Sequence, residues 1–160
     1  MPCSGTDTES SPCCLNPSLT VSYQDYLTCC APAYVGDNVL TDQLPESTNT
    51  IWLGNMNTTP QKIRITLSCA KMISSATLRN SNYFVFANTK DFEIKVREPN
   101  SNVWKAFASG TLPNPTGQNP PPLSTFSGTP VTVEEVEFSC LNVYPSGSSQ
   151  YCALNYIEFQ

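Results

Sequence analysis

The chain has 160 residues, with 13 acidic and 8 basic side chains, eight cysteines, no histidine and a formal net charge of -5. That balance argues against a binder of nucleic-acid backbones, which needs clustered Lys and Arg to displace counterions. The missing imidazole also removes Ser-His-Asp and Cys-His chemistry and the common zinc sites.

An even cysteine count in a small acidic chain points to disulfides formed in an oxidising, extracellular compartment, with no metal or cofactor implied. Five of the eight, Cys3, Cys13, Cys14, Cys29 and Cys30, fall in residues 1 to 34, which read as a disulfide-stapled N-terminal arm. Its vicinal pairs lack the CxxC spacing that turns two thiolates onto one ion, so each cysteine is expected to pair elsewhere in the chain. Residues 1 to 14 lack the charged and apolar regions of a secretory signal, which suits a mature or excised domain or a start further upstream. No stretch reaches membrane-spanning length. Leu19 to Tyr26 is the arm's one strand candidate, with Val21 and Tyr23 on one side. From Ala31 to Thr50 turn formers dominate, and loop with short extended pieces is expected.

In the middle of the chain Ile63, Ile65, Leu67 and Cys69 alternate with Arg64, Thr66 and Ser68, the period of a half-buried strand. Asp91 to Arg97 repeats the device, with Phe92, Ile94 and Val96 inward and Glu93, Lys95 and Arg97 outward. Ala76 to Asn80, Tyr83 to Ala87 and Val103 to Ala108 read as further short strands, and no segment carries a helical stripe. All eight basic residues, from Lys62 to Lys105, lie in this region among apolar or acidic neighbours, as on solvated strand faces.

Residues 113 to 130 hold six prolines and are expected to form a long surface loop, either a connector or a packing or glycan-bearing surface. Val131 to Tyr144 and Tyr151 to Phe159 then read as a hairpin closed around Pro145 to Gln150. A register with Cys140 opposite Cys152 also places Phe138 opposite Leu154 and Val136 opposite Tyr156. Phase breaks at Glu134-Glu135 and Leu154-Asn155 suggest bulges. The favoured pairing is Cys140 with Cys152, leaving Cys69 to tie the arm; the rival pairs Cys69 with Cys140.

Asp91, Glu93, Glu134, Glu135 and Glu137 are the only acidic concentration that glycoside chemistry could use. Glu93 lies on the polar phase of its strand, and adjacent Glu134 and Glu135 are expected to point to opposite faces, so no catalytic residue is assigned. Asn57-Thr58-Thr59 is the one acceptable N-glycosylation sequon, since Asn16 and Asn114 each precede proline.

Six segments carry a resemblance by their order: IWLGN, KIRITLSC, ATLRNSN, TKDFEIKV, VWKAFASGTL and ALNYIEF. Across residues 35 to 160 the chain resembles the discoidin-like, galactose-binding-like β-sandwich superfamily, which includes the coagulation-factor C-type domains. The matching positions are Trp52, Ile63 to Leu67, Leu78-Arg79-Asn80, Thr89 with Phe92 and Ile94, and Trp104; Ser68-Cys69 replaces the usual acidic-glycine ending. The resemblance implies an all-β fold, an antiparallel jelly-roll-like sandwich behind the stapled arm. Its members bind glycans, lipid head groups or proteins through loops at one end without performing chemistry.

Tyr34, Tyr83, Phe126 and Tyr144 are the aromatic candidates for glycan or partner contact. The functional expectation is a non-enzymatic extracellular structural or adhesive module that joins like copies or neighbouring proteins in a coat, matrix or fibre. The alternative is a carbohydrate-binding domain. Neither reading involves nucleic acid or a membrane span.

Overall fold

A computed structural model describes residues 17–27, 34–47, 49–55, 60–84, 87–144 and 151–160. The alternation in Asp91–Arg97 forms strand β4, with Phe92, Ile94 and Val96 buried and the charged residues between them half-exposed. The other elements are β1 (Leu19–Gln24), a 3-10 turn (Gly36–Leu40), β2 (Trp52–Leu53), β3 (Gln61–Arg79), β5 (Trp104–Thr111), β6 (Leu123–Cys140), β7 (Ala153–Leu154) and β8 (Tyr156–Phe159). The expected all-β, antiparallel jelly-roll-like sandwich is the fold observed. No helix among the described residues is long and apolar enough to cross a membrane.

Two long strands organise the sandwich. β3 and β6 run 19 and 18 residues and pair twice: Gln61–Thr66 with Glu135–Cys140, and Lys71–Arg79 with Leu123–Val133. Between the two stretches the register jumps, leaving residues 67 to 70 of β3 opposite the single residue Glu134. This irregularity acts as a corner, because a bulge bends its strand and increases the local twist. β4 and β5 extend the sheet beyond the second half of β6, β1 flanks the first half of β3, and β8 pairs with the second half of β3. Side chains from both sides of the corner, among them Ile63, Phe138 and Ile94 on one and Ile73, Leu78 and Ile157 on the other, share one core.

Trp52, Phe92 and Phe138 are the largest fully buried side chains. Phe138 stacks on Phe92 at 5.8 Å between ring centres and meets Trp52 edge-on at 6.1 Å. Full burial of one such ring is worth about 1.5–3 kcal/mol, and each aromatic pair adds about 0.5–1.5 kcal/mol. Trp52 Nε1 donates to the Asp25 carbonyl at 2.8 Å, so its one polar atom is satisfied inside the core.

Several sequence expectations need correction. The segments around Ile63–Cys69 and Ala76–Asn80 lie on one continuous strand, β3. Tyr83 and Phe84 form a bend and no strand. Residues 123 to 130, expected in the proline loop, begin β6. Val21 and Tyr23 do not share a face, because an extra residue at Ser22 separates Val21, opposite buried Ile65, from Tyr23, opposite Arg64.

The terminal hairpin is not formed: β7 pairs with β2 and β8 with β3, and Asn155, where a bulge was expected, is the step between two sheets. Cys140 is nevertheless bonded to Cys152 across a Cα separation of 6.2 Å, which excludes the rival pairing with Cys69. Cys69 is buried on β3. Cys3, Cys13, Cys14, Cys29, Cys30 and Asn57 lie outside the described residues.

Candidate functional site

Because β3 and β6 double back at their corner, Arg79 and Leu123 return to the end of the sandwich where β4 begins and β5 ends. Asn80 fixes this junction: its Nδ2 donates to the Thr89 carbonyl at 2.7 Å, and its Oδ1 accepts from Thr89 N at 3.0 Å. Leu112 N donates to the Lys90 carbonyl, and Leu141 N to that of Asp91, both at 2.8 Å. The segments 41–47, 80–84, 87–90, 112–122 and 141–144 therefore gather at one end.

A recess at that end, about 70 Å³, is lined by Asn82, Phe84, Asn88, Pro115, Thr116 and Gly117. Pro115 is buried, and Gln118 N donates back to its carbonyl at 3.0 Å, closing a turn. Gly117 has φ +76°, a backbone conformation glycine adopts without steric cost. Asn82 is held from two sides: its N donates to Glu46 Oε2 at 3.1 Å, and its Nδ2 donates to the Gln118 carbonyl.

Asn88 is 3% exposed. Its Oδ1 accepts from Tyr144 N at 3.2 Å and its backbone N donates to the Tyr151 carbonyl at 3.2 Å. Asn88 thus contributes a side-chain amide to the lining, its Oδ1 committed to Tyr144 N and its Nδ2 given no partner among the described residues.

The four aromatic candidates have different fates. Tyr83 is 41% exposed and meets the lining residue Phe84 edge-on at 4.8 Å. Tyr34 is buried and backs Phe84 at 6.0 Å. Tyr144 is half-buried; its hydroxyl donates to the Leu112 carbonyl at 2.6 Å, tying two loops of this end together. Phe126 packs on Phe92 at 4.7 Å in the core, away from the recess lining. Sequence reasoning missed Asn82, Asn88 and the Pro115–Gly117 turn. The asparagine-rich run around Tyr83 is the signal that could have found them.

The carboxylates weighed for glycoside chemistry are all engaged. Glu134 and Glu135, expected on opposite faces, both contact Arg97, at 2.6 and 2.7 Å, because the corner breaks the alternation there. Glu137 pairs with Arg64 and Lys62, and Glu93 with Lys95. Asp91 is held below the usual carboxylate range by hydrogen bonds from Thr111 and Asn142. Burial pushes Glu46 the other way, against hydrogen bonds from Ser81 and the Asn82 backbone.

Neither a family model nor a curated protein matches the sequence. Solved structures do share the fold. A family 32 carbohydrate-binding module from Streptococcus pneumoniae EndoD has a TM-score of 0.66 at 13% identity, over 90% of this chain and 96% of that one. The family 32 module of Clostridium perfringens NanJ, solved with galactose, gives 0.56 at 16% identity, over 89% and 92%. An F5/8 type C domain from Bacteroides fragilis gives 0.64 at 18% identity, over 96% and 93%.

These likenesses correct the expectation of a self-associating coat, matrix or fibre element, since the first two are carbohydrate-binding modules. The strand edges agree with the correction. The outer strands β1 and β5 each carry an extra residue, Ser22 and Phe107, and such bulges disfavour addition of another chain. The chain has the discoidin-like, galactose-binding-like β-sandwich fold.

Proposed function

We propose that this chain is a non-catalytic carbohydrate-binding module that takes the edge of a sugar ring into the recess at the loop end. The observation that carries this reading is the Asn88 side-chain amide in the recess lining together with the exposed ring of Tyr83, which stands in the chain between the lining residues Asn82 and Phe84. Sugars present hydroxyls to amides and C–H faces to aromatic rings, and a site of few convergent polar groups beside apolar surface suits both. The likeness to modules solved with sugars supports it, including the one from NanJ with galactose.

Eight cysteines and the Asn57 sequon favour an extracellular or cell-surface setting, with residues 1 to 34 as a stapled arm before the sandwich and Asn57 carrying a glycan. A glycan array with and without calcium tests the reading. The expected result is a selective sugar signal that Tyr83→Ala weakens at least five-fold. Asn88→Asp, which keeps the oxygen facing Tyr144 N and removes the amide donor, is expected to do the same. Binding unchanged in both variants contradicts the assignment to this recess.

A further inference from the structure

The outer face of the main sheet carries a second cluster, remote in sequence from the recess. Tyr23 on β1 and Trp104 on β5 both stand on this face, opposite Arg64 and Arg97 respectively. The Arg64 guanidinium packs over both rings, 5.5 Å from the centre of Tyr23 and 4.8 Å from that of Trp104. The ring centres are therefore no more than about 10 Å apart, a span that two linked sugar rings cover. Tyr23 remains 45% exposed and Trp104 is partly exposed, so both rings keep surface on solvent.

The charges on this face decide what can lie there. Its cations Lys62, Arg64, Lys95 and Arg97 each sit within 3.2 Å of a carboxylate drawn from Glu93, Glu134, Glu135 and Glu137. A polyanion would have to displace those carboxylates. A neutral chain would not, and its hydroxyls could use the remaining donors and acceptors of the exposed heads while its C–H faces cover the rings.

We propose that Tyr23, Trp104 and the ion-paired floor between them form a second glycan-binding surface, one that takes an extended neutral polysaccharide across the strands. This surface is independent of the loop recess and stands or falls separately from it. The aromatic rings supply stacking area, and Arg64, pinned by Glu137, fixes their spacing.

Gel retardation on hydroxyethylcellulose, xylan and galactomannan, with alginate as the anionic comparison, tests it. At least one neutral polymer should retard the wild type, and Trp104→Ala and Tyr23→Ala should each weaken retardation at least five-fold. Trp104→Phe, retaining a ring, should bind with intermediate strength and guards against a folding defect in the alanine variant. Only two tryptophans exist and Trp52 is fully buried, so the same polymer should also shift the emission of Trp104. Retardation by no neutral polymer, retardation by alginate alone, or equal retardation of Trp104→Ala and wild type overturns the proposal. Loss of retardation in Tyr83→Ala with none in Trp104→Ala returns all binding to the recess and overturns it equally.

Discussion

Glu137 Oε2 accepts two hydrogen bonds from Arg64, from Nη2 at 2.7 Å and from Nε at 3.2 Å, in a residue only 4% exposed. Lys62 Nζ donates to the other oxygen at 3.2 Å. Burial alone would raise the carboxyl's pKa, but the hydrogen bonds and charges of Arg64 and Lys62 outweigh it and hold the group below its ordinary 4.5. A depressed folded pKa means the contribution is present above the unfolded value and is lost as pH falls through the folded one. Urea unfolding midpoints should therefore fall as pH drops below about 4.5. Glu137→Gln should flatten that dependence and cost about 1–3 kcal/mol at pH 7, less than for a fully buried pair because both cations reach solvent.

Glu46 should show the opposite sign. Burial raises its pKa above the ordinary 4.5, so its contribution is complete below that value and is lost as pH rises through the folded pKa. Glu46→Gln is expected to be at least as stable as wild type at pH 7, with the difference closing below pH 4.5. A variant clearly less stable at pH 7 would show that the hydrogen bonds from Ser81 and Asn82 N favour the charged carboxylate by more than its burial costs.

Replacing Cys140 and Cys152 together by alanine removes the bond joining the end of β6 to the residue before β7. Closing a loop of this length is worth about 2–4 kcal/mol, and the variant's unfolding midpoint should drop accordingly. Equal midpoints for variant and wild type under non-reducing conditions would refute this contribution.

The reach of the sequence can be followed in individual residues. β4 was legible because every second residue from Phe92 to Val96 meets the same core. The Cys140–Cys152 bond was also legible, yet the hairpin inferred from it was not formed, because a disulfide brings two segments together without requiring them to pair. The length of β6 was hidden by Pro130, a residue that supplies no ladder donor. Pro130 falls where the register slips between Val131 and Ser127, so no regular donor is needed there. Gly128 occupies the same slip, where any Cβ would fall only 2.5 Å from the Phe107 ring, a close approach that alternation does not announce. At the site, Tyr83 is legible as an aromatic in a polar loop, but Asn88 and Gly117 are brought together by the β3–β6 corner, a relationship between distant segments.

The most direct measurement is chemical-shift mapping of the 15N-labelled protein during titration with the sugar that gives the strongest array signal. Binding in the recess predicts saturable shifts concentrated at Asn82 to Phe84, at Thr116 to Gln118 and at the Asn88 side-chain amide. No sugar signal above background with or without calcium, or shifts that leave these groups unmoved, would contradict carbohydrate binding at the loop end.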